Sequence, residues 1–555
     1  IVDLGAYEKQ TNSVSPCAAV TFPYTLPNNA PATLITAIEC ANANGSADVI
    51  NLNGQTITLA ASYANYTGAT GLPQVTTAIT LQNGTITRSG GAPQFRLLNV
   101  GATGSLTLDG VTVSGGSLPS NDNAGAIFND GGTLTIVDST VTNNSAGFGG
   151  ALYNSGSAAA ITITDSTLSN NSATQNGGFM MNDSGSATII RSTVSGNSSS
   201  GTAGNGAIYN FEANLDIVDS TFTGNTSTTS VGAVQNFAGT TNIANSEFAG
   251  NSAANTSGAV LNNAGGVMTI TNSMFTGNRA GNAAGALTNN VSSTLRITNG
   301  TFAGNSATTG GGIFISGATT TTITNSVVWG NSGNTLTGAT ITYSVIEGGF
   351  AGTGNLNVDP LFVSPLAFTS APTIAGNYRL QDSSPAVDAG SNAAVPVDTF
   401  DLNDNASTTD EAPDLDGNPR RYNDTGVPDT GSGTAPIVDM GAFEKQTNSP
   451  PIFPMDVDFC NLRFPTSFAA AAGSTSPFIY GRIFEDDNGV LTSSPGAHPS
   501  IVAQVGHGPL GSDPRGGNPA WLWIPATFNL QVGNDDEYQA TFIVPFAPTN
   551  TQRSY

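Results

Sequence analysis

Residues 133–144 read TLTIVDSTVTNN, and residues 294–305 read TLRITNGTFAGN. In both stretches an isoleucine lies eight positions before an asparagine, and an apolar residue lies three positions before it. The spacing occurs eight times at intervals of 26 to 28 residues, and a fixed period of this length is typical of solenoids, in which each repeat is one coil. The isoleucines are Ile136, Ile163, Ile189, Ile217, Ile243, Ile270, Ile297 and Ile323, and the asparagines are Asn144, Asn171, Asn197, Asn225, Asn251, Asn278, Asn305 and Asn331.

Each repeat contains three short strand patterns, of the types found at 125–128, 133–136 and 222–225. Strand side chains alternate between two faces, so Leu134 and Ile136 are expected to point inward. Coils stacked ~4.8 Å apart would place equivalent isoleucines in a column that contributes about 1.5 to 3 kcal/mol per buried side chain. We expect the recurring asparagine to be a turn residue in the left-handed region whose amide bonds its equivalents in adjacent coils. The repeat therefore predicts an all-β parallel β-helix with three strands per coil of about 27 residues.

Changes in the pattern divide the chain into five segments. The β-helix is expected at 48–346, an acidic loop-rich closing region at 347–449, and an incomplete β-sandwich module at 450–555. The string IVDLGAYEKQTNS at 1–13 returns at 437–449 as IVDMGAFEKQTNS, so residues 1–16 are expected to be the tail of a preceding module.

Residues 17–47 are expected to cover the open first coil. Within them, PATLITAIECANAN at 31–44 predicts an amphipathic N-terminal helical cap. Cys17 and Cys40 flank this cap and could form a disulfide in an oxidising compartment. Cys460 is left over, and its partner is expected beyond Tyr555.

The repeats resemble those of known bacterial surface proteins. The cap followed by ADVINLNGQTITL, together with the GGALYN and FTGN strings, is similar to right-handed parallel β-helix proteins with polymorphic-outer-membrane-protein type repeats. The later SPAVDAGS, DLDGNPR and VDMGAFE strings resemble choice-of-anchor Q domains. The resemblance implies a right-handed solenoid in a secreted or surface-displayed bacterial protein, and it implies no catalytic residues.

Charge and composition exclude several functions. With 38 acidic and 14 basic residues the formal net charge is −24, which repels a phosphate backbone, so no nucleic acid partner is expected. The chain has 2 histidines, which leaves little scope for a His-ligated metal or a His general base. It has no run of 18 apolar residues, so no membrane-spanning segment is expected.

The closing region is the most acidic part of the sequence, with 15 acidic residues and 4 basic ones between 347 and 449. Aspartates in loop-like sequence are the oxygen ligands that calcium prefers. The candidate ligands for a calcium ion are Asp398, Asp401, Asp404, Asp414 and Asp416. The alternative is that these aspartates form turns and pair locally with Arg420 and Arg421.

Any catalytic activity of the coils would depend on residues that point outward. The position before each corner serine reads Asp138, Asp165, Arg191 and Asp219 in four successive coils. Arg191 is expected to lie between two carboxylates and to relieve their repulsion, which predicts a structural ladder. Cleavage of a polysaccharide would need further catalytic groups beside these carboxylates. It would also need outward aromatic rings that pack on the sugars, and no such group of rings is expected. The protein is therefore predicted not to be an enzyme.

The main functional prediction is a structural or adhesive scaffold at the bacterial cell surface or outside the cell, in a filament or a surface layer. Its partners would be neighbouring modules, copies of the same protein, or surface polysaccharide. The alternative is a β-helix protein that binds or cleaves polysaccharide. That alternative requires an outward cleft lined by carboxylates and aromatic rings on three or more adjacent coils.

Overall fold

The computed structural model describes residues 16–446, apart from 202, 203, 318, 404 and 425, and strand segments with a few flanking residues between 459 and 554. The chain divides into two compact units, Ile1–Thr447 and Asn448–Tyr555. The first unit is a parallel β-solenoid of about 11 turns, which confirms the fold class that the repeat predicts. The tail predicted at 1–16 lies outside the described residues except for Pro16.

Sheet 1 is the largest sheet, with 23 strands, and each regular coil contributes two consecutive strands to it. The first strands are Asp48–Asn51, Ala78–Arg88, Ser105–Ser114, Thr133–Val137, Ala160–Thr164, Ser186–Ile190, Asn214–Val218, Thr240–Ala244, Val267–Thr271, Thr294–Thr298, Thr320–Thr324 and Thr340–Thr342. The second strands are Thr56–Leu59, Thr140–Thr142, Thr167–Ser169, Thr193–Ser195, Thr221–Thr223, Glu247–Ala249, Met274–Thr276, Thr301–Ala303, Val327–Trp329 and Val345–Ile346. Two long strands run through both columns, and Tyr24–Thr25 pairs at the edge.

Two further sheets complete the coils. Sheet 2 contains Leu98–Val100, Ile127–Asp130, Leu152–Ser155, Met180–Asp183, Ile208–Phe211, Val234–Phe237, Val260–Asn263, Leu287–Asn290 and Ile313–Ser316. Sheet 3 contains Ser145–Ala146, Ser172–Ala173, Ser198–Ser199, Thr226–Ser227, Ser252–Ala253 and Arg279–Ala280. A regular coil therefore has four strand segments rather than the three predicted, because two-residue strands are too short to produce an alternating pattern.

The core is a set of side-chain columns inside the coils. Ile163 pairs in register with Ile136 in the preceding coil and with Ile189 in the following coil, and all three are fully buried. The second strands add a column of phenylalanine rings from Phe222 to Phe302, with neighbouring centroids 4.7 to 4.8 Å apart. The spacing between strands thus sets the spacing between rings, and each coil buries its apolar residues only against its neighbours.

The recurring asparagines form a buried hydrogen-bonded ladder, but they are not the left-handed residues of the turn. The side-chain Nδ2 of Asn171 donates to Oδ1 of Asn197 over 3.0 Å, and the backbone N–H of Asn171 donates to the same oxygen. The same contacts run from Asn144 to Asn331. The positive φ belongs to the preceding residue, such as Asn170 at 55° or Gly224 at 59°.

A second asparagine ladder runs through sheet 2, where the sequence analysis predicted none. Its members are Asn129, Asn154, Asn182, Asn210, Asn236, Asn262 and Asn289, all fully buried. Each amide donates to the next Oδ1 over 2.7 to 2.9 Å. These asparagines occupy inward positions in which a sequence pattern predicts apolar residues, and the ladder is what satisfies their amides.

A helix at Pro31–Asn44 precedes the first strands, with a 3₁₀ turn at Pro16–Ala19 before it. Leu34, Ile38 and Ala41 are fully buried in the same core cluster as the solenoid columns. Cys17 and Cys40 form a disulfide. That this helix acts as a cap for the first coil stays a prediction.

Ala64–Asn65 and Ala69–Thr70 form a short antiparallel hairpin.

The closing region has little regular structure and packs on the solenoid. It contains the antiparallel strands Phe362–Ser364 and Asn377–Leu380 and the 3₁₀ turns Phe368–Ser370 and Asn392–Ala394. Met440 and Phe443 pack in one apolar cluster with Val327 of the solenoid. The region is therefore part of the first unit.

The second unit contains two antiparallel sheets. One consists of Phe459–Phe464, Ile479–Phe484, Asp535–Ala540 and Thr527–Val532, and the other of Leu522–Pro525, Gln504–Pro509 and Arg553–Ser554. The β-sandwich itself stays a prediction.

Candidate functional site on the outer face of sheet 2

Aromatic side chains lie on the outer face of sheet 2. In strand Ile127–Asp130, Ile127 belongs to the inner core, whereas Phe128 belongs to a separate apolar cluster. Because side chains alternate, Phe128 and its equivalents in the following coils lie on the side of the sheet away from the core. We call the following residues the aromatic strip: Phe128, Phe148, Tyr153, Met181, Tyr209, Phe211 and Phe237. All of them except Phe148 lie in strands of sheet 2 that belong to five successive coils.

The rings of the aromatic strip contact one another along the stack of coils. The centroids of Phe128 and Tyr153 are 5.4 Å apart, and those of Tyr209 and Phe211 are 5.9 Å apart. Phe211 and Phe237 stack with centroids 5.5 Å apart and planes 17° apart. Phe211, Phe237 and Phe148 are only half-buried, so they provide the accessible part of the strip.

Three carboxylates accompany the aromatic strip. Asp130 and Asp183 end strands of sheet 2, and Glu212 follows Phe211. The hydroxyl of Tyr153 donates to Oδ2 of Asp183 over 2.8 Å. Asp130 and Glu212 are exposed, and Asp183 is half-buried. The strip thus offers partly exposed aromatic side chains and hydrogen-bond acceptors side by side.

The tyrosine hydroxyls of the aromatic strip stay protonated. Burial, followed by the hydrogen bond to Asp183, raises the pKa of Tyr153 well above its usual range. Burial, followed by the negative charges of Asp183 and Glu212, raises the pKa of Tyr209 to about 12. At neutral pH both hydroxyls are hydrogen-bond donors, which suits them to a ligand rich in hydroxyl groups.

Arg96 closes the N-terminal end of the aromatic strip. Its guanidinium lies 4.8 Å from the ring centre of Phe128. Nη1 donates to the carbonyl oxygen of Tyr66, and Nη2 donates to those of Thr67 and Asn123. Burial lowers the pKa of Arg96 to about 10, so the group is still charged at neutral pH. Because Arg96 is fully buried and bonded to carbonyls, its charge serves the protein itself.

The expectation that the coils carry no outward group of aromatic residues is wrong. The sequence signal was present, since Phe128, Tyr153 and Tyr209 each follow an inward aliphatic residue in a strand of sheet 2. The alternation that placed Ile136 inward also places these rings outward.

The aspartates predicted to bind calcium are used in turns. Asp398 accepts hydrogen bonds from the backbone N–H of Leu402, and Asp401 accepts them from Asn405 and Ala406. Asp404 lies outside the described residues.

The two later candidate ligands are also paired. Asp414 accepts hydrogen bonds from the backbone of Asp416, Asn418 and Glu444, and Asp416 forms an ion pair with Arg379. Within the described part of the chain, no group of three or more possible ligand residues could hold a metal ion. Calcium binding stays a prediction.

The corner ladder contains a two-point ion pair. Arg191 donates from Nε and Nη2 to the two carboxylate oxygens of Asp165, over 2.9 and 3.1 Å. Both side chains are about half exposed, so the pair contributes little to stability. The structural role of the charge ladder stays a prediction.

Sequence reasoning did not find a buried ionic cluster between the closing region and the solenoid. Arg420 is fully buried, donates to Oδ1 of Asn272 and to the carbonyl oxygen of Gly441, and lies 3.9 Å from Glu444. Burial raises the pKa of Glu444 well above its usual value and that of Asp439 to about 7. The contact with Asn272 joins residues 148 positions apart, which no local pattern reveals.

A cavity of about 210 Å³ lies between sheet 1 and the closing region. Asn242 and Thr269 line it from the solenoid, and Pro396, Val397 and Phe400 line it from the closing region. This cavity is separate from the aromatic strip.

The comparisons with known proteins yield one structural neighbour. No protein-family model and no curated protein matches the chain, so the repeat and anchor types stay predictions. Among solved structures, the chain aligns with the crystal structure of pectate lyase Pel9A at 15% sequence identity and a TM-score of 0.35, over 77% of this chain and 98% of that chain. This likeness extends to the β-helix fold and no further.

The prediction that the protein is not an enzyme is corrected by this neighbour. Pectate lyase Pel9A is an enzyme with a β-helix fold, so the solenoid gives no ground for excluding an activity.

The described helices include none that is long and apolar enough to cross a membrane.

Proposed function

We propose that the first unit binds a polysaccharide along the aromatic strip. The observation that carries the proposal is the row of partly exposed side chains on the outer face of sheet 2, where four of five successive coils contribute an aromatic ring and three contribute a carboxylate. A polymer can use it because equivalent groups repeat along the axis of the stack.

The chemistry of the aromatic strip matches that of a sugar chain. A sugar ring has an apolar face that packs on an aromatic side chain and hydroxyl edges that need hydrogen-bond partners. Phe211 and Phe237 provide a stacked, half-buried pair of rings for the first contact. Asp183 and Glu212 lie next to this pair and accept hydrogen bonds from hydroxyls.

The proposal includes a place outside the cell, at the bacterial surface. The disulfide between Cys17 and Cys40 favours an oxidising compartment. The ladders of the solenoid would make a rigid rod that holds the strip in place and presents it among neighbouring modules. The protein would thus act as an adhesive scaffold whose partner is a polysaccharide.

Affinity electrophoresis tests the proposal. The protein is run in native gels that contain one of a panel of neutral and acidic soluble polysaccharides. The double variant Phe211→Ala/Phe237→Ala is expected to lose most of the retardation, because each stacked ring contributes about 0.5 to 1.5 kcal/mol beyond its buried area. Phe368→Ala is the matched control, since Phe368 is an exposed phenylalanine of the closing region.

Two outcomes decide the test. Retardation of the original protein and of Phe368→Ala, but not of the double variant, supports the proposal, provided that all three unfold at the same temperature. Equal retardation of all three places the binding elsewhere and overturns it. The same samples are assayed for new reducing ends, because an enzyme that cleaves the polysaccharide would bind it first.

A further inference from the structure

The charges around the aromatic strip differ from those of a site for an acidic polysaccharide. Residues 97–278, which include all five coils of the strip, contain ten acidic residues and one basic residue, Arg191. Arg191 lies at the corner of sheet 1 and is paired with Asp165. No cation from these coils is therefore available to neutralise a carboxylate on a ligand.

The remaining cation near the strip is also unavailable. Arg96 is fully buried, its Nη atoms donate to three backbone carbonyls, and its guanidinium packs on Phe128. Moving it to a ligand would leave those carbonyls without donors, and leaving a buried acceptor without its partner is unfavourable.

The carboxylates of the strip are placed where a ligand would lie. Asp130 and Asp183 end strands of sheet 2, and Glu212 follows the ring of Phe211. A uronic acid stacked on these rings would bring its carboxylate close to one of them. Like charges in a partly desolvated site repel each other, and a charge without a partner is costly to desolvate.

We propose that the aromatic strip selects neutral polysaccharides and rejects polyuronates. This inference depends on the polysaccharide binding proposed above and adds the class of ligand. The hydroxyls of neutral sugars are donors that fit the carboxylates, and they are acceptors that fit the protonated hydroxyl of Tyr209.

A matched pair of ligands tests the selection. The neutral polysaccharide that binds most tightly in the panel is compared with the same polymer whose primary alcohols have been oxidised to carboxylates. Oxidation is expected to weaken binding by at least ~10-fold at low ionic strength, which corresponds to one well-placed repulsion of about 1.4 kcal/mol. The loss should shrink in 0.5 M NaCl, because salt screens exposed charges over about one Debye length.

A charge variant separates repulsion from shape. In Asp130→Asn/Glu212→Gln the two exposed carboxylates become amides of the same size, and the penalty for the oxidised polymer is expected to fall several-fold. Loss of the rings in Phe211→Ala/Phe237→Ala should instead weaken both ligands.

The outcomes distinguish the two proposals. Equal or tighter binding of the oxidised polymer, or binding of only acidic polysaccharides in the panel, overturns the selection and leaves polysaccharide binding intact. A penalty that the charge variant does not change also overturns it. Absence of binding to every polysaccharide overturns both.

Discussion

The solenoid at 48–346 and the closing region at 347–446 satisfy their buried polar groups in opposite ways. In the solenoid each buried amide bonds its copy in the next coil, as Asn197 bonds Asn225 over 3.0 Å. In the closing region buried charges bond unlike partners far away in sequence, as Arg420 bonds Asn272. Repetition produces many contacts of modest strength, whereas the closing region concentrates its stability in a few ionic groups.

The largest effect is expected where a charge of the closing region loses its partner. Arg420→Met takes the charged donor away from the buried oxygen atoms of Asn272 and Gly441, and a hydrogen bond to a charged group contributes about 1.5 to 3 kcal/mol. Hydrogen exchange of the amides at 438–446 measures the loss. The control is Arg421→Met, which removes the exposed ion pair with Glu411 and should cost under about 1 kcal/mol. If the two variants changed the hydrogen exchange of these amides equally, the expected difference between the buried and the exposed arginine would be contradicted.

A single step of the ladder should have a smaller but clear effect. In Asn225→Ala the backbone N–H and the side-chain amide of Asn197 both lose their acceptor, at a cost of about 1 to 3 kcal/mol for each buried group. Thermal unfolding of the first unit measures this cost. Asn242→Ala is the control, because Asn242 is half-buried and donates outside the ladder to Asp216. Equal melting temperatures for both variants would mean that the ladder does not stabilise the stack.

The buried acids predict that the closing region loses stability as the pH rises. Burial raises the pKa of Asp388 to about 6 and that of Asp439 to about 7, above the value of 3.8 for an exposed aspartate. The native state therefore binds more protons than the unfolded state between about pH 4 and 7, and stability falls across that window. Hydrogen exchange of the closing region at pH 5 and pH 7.5 should show faster exchange at the higher pH, after correction for the intrinsic rate.

Asp388→Asn tests the cause of this pH dependence. Asp388 is fully buried near the negative charges of Asp429 and Asp424, and its φ of 50° is one that asparagine tolerates. The variant should slow exchange at pH 7.5 and flatten the dependence, with a gain on the order of 1 kcal/mol. Slower exchange at pH 7.5 than at pH 5 in the original protein would contradict the sign.

The smallest effect is expected at the solenoid corner. Asp165→Asn removes the charge that pairs with Arg191, and because both side chains are about half exposed the cost should stay under about 1 kcal/mol. A melting temperature lowered as far as in Asn225→Ala would show that the corner ladder stabilises the stack as much as the asparagines do.

The same contrast explains what the sequence could predict. The spacing of Ile136 and Asn144 was enough to predict the coils, since each coil repeats the same local pattern. The ladder of Asn129 and the ring of Phe128 escaped notice, although alternation in one strand places both. The partners of Arg420 could not be predicted, because its contacts join distant segments that share no period.

A crystal structure of the first unit with a neutral oligosaccharide, taken from the polysaccharide that binds most tightly, tests the central claim most directly. The account predicts sugar rings stacked on Phe211 and Phe237, with hydroxyls within hydrogen-bond distance of Asp183 or Glu212. Sugar density in the cavity beside Thr269 and Phe400, with the aromatic strip bare, would contradict it.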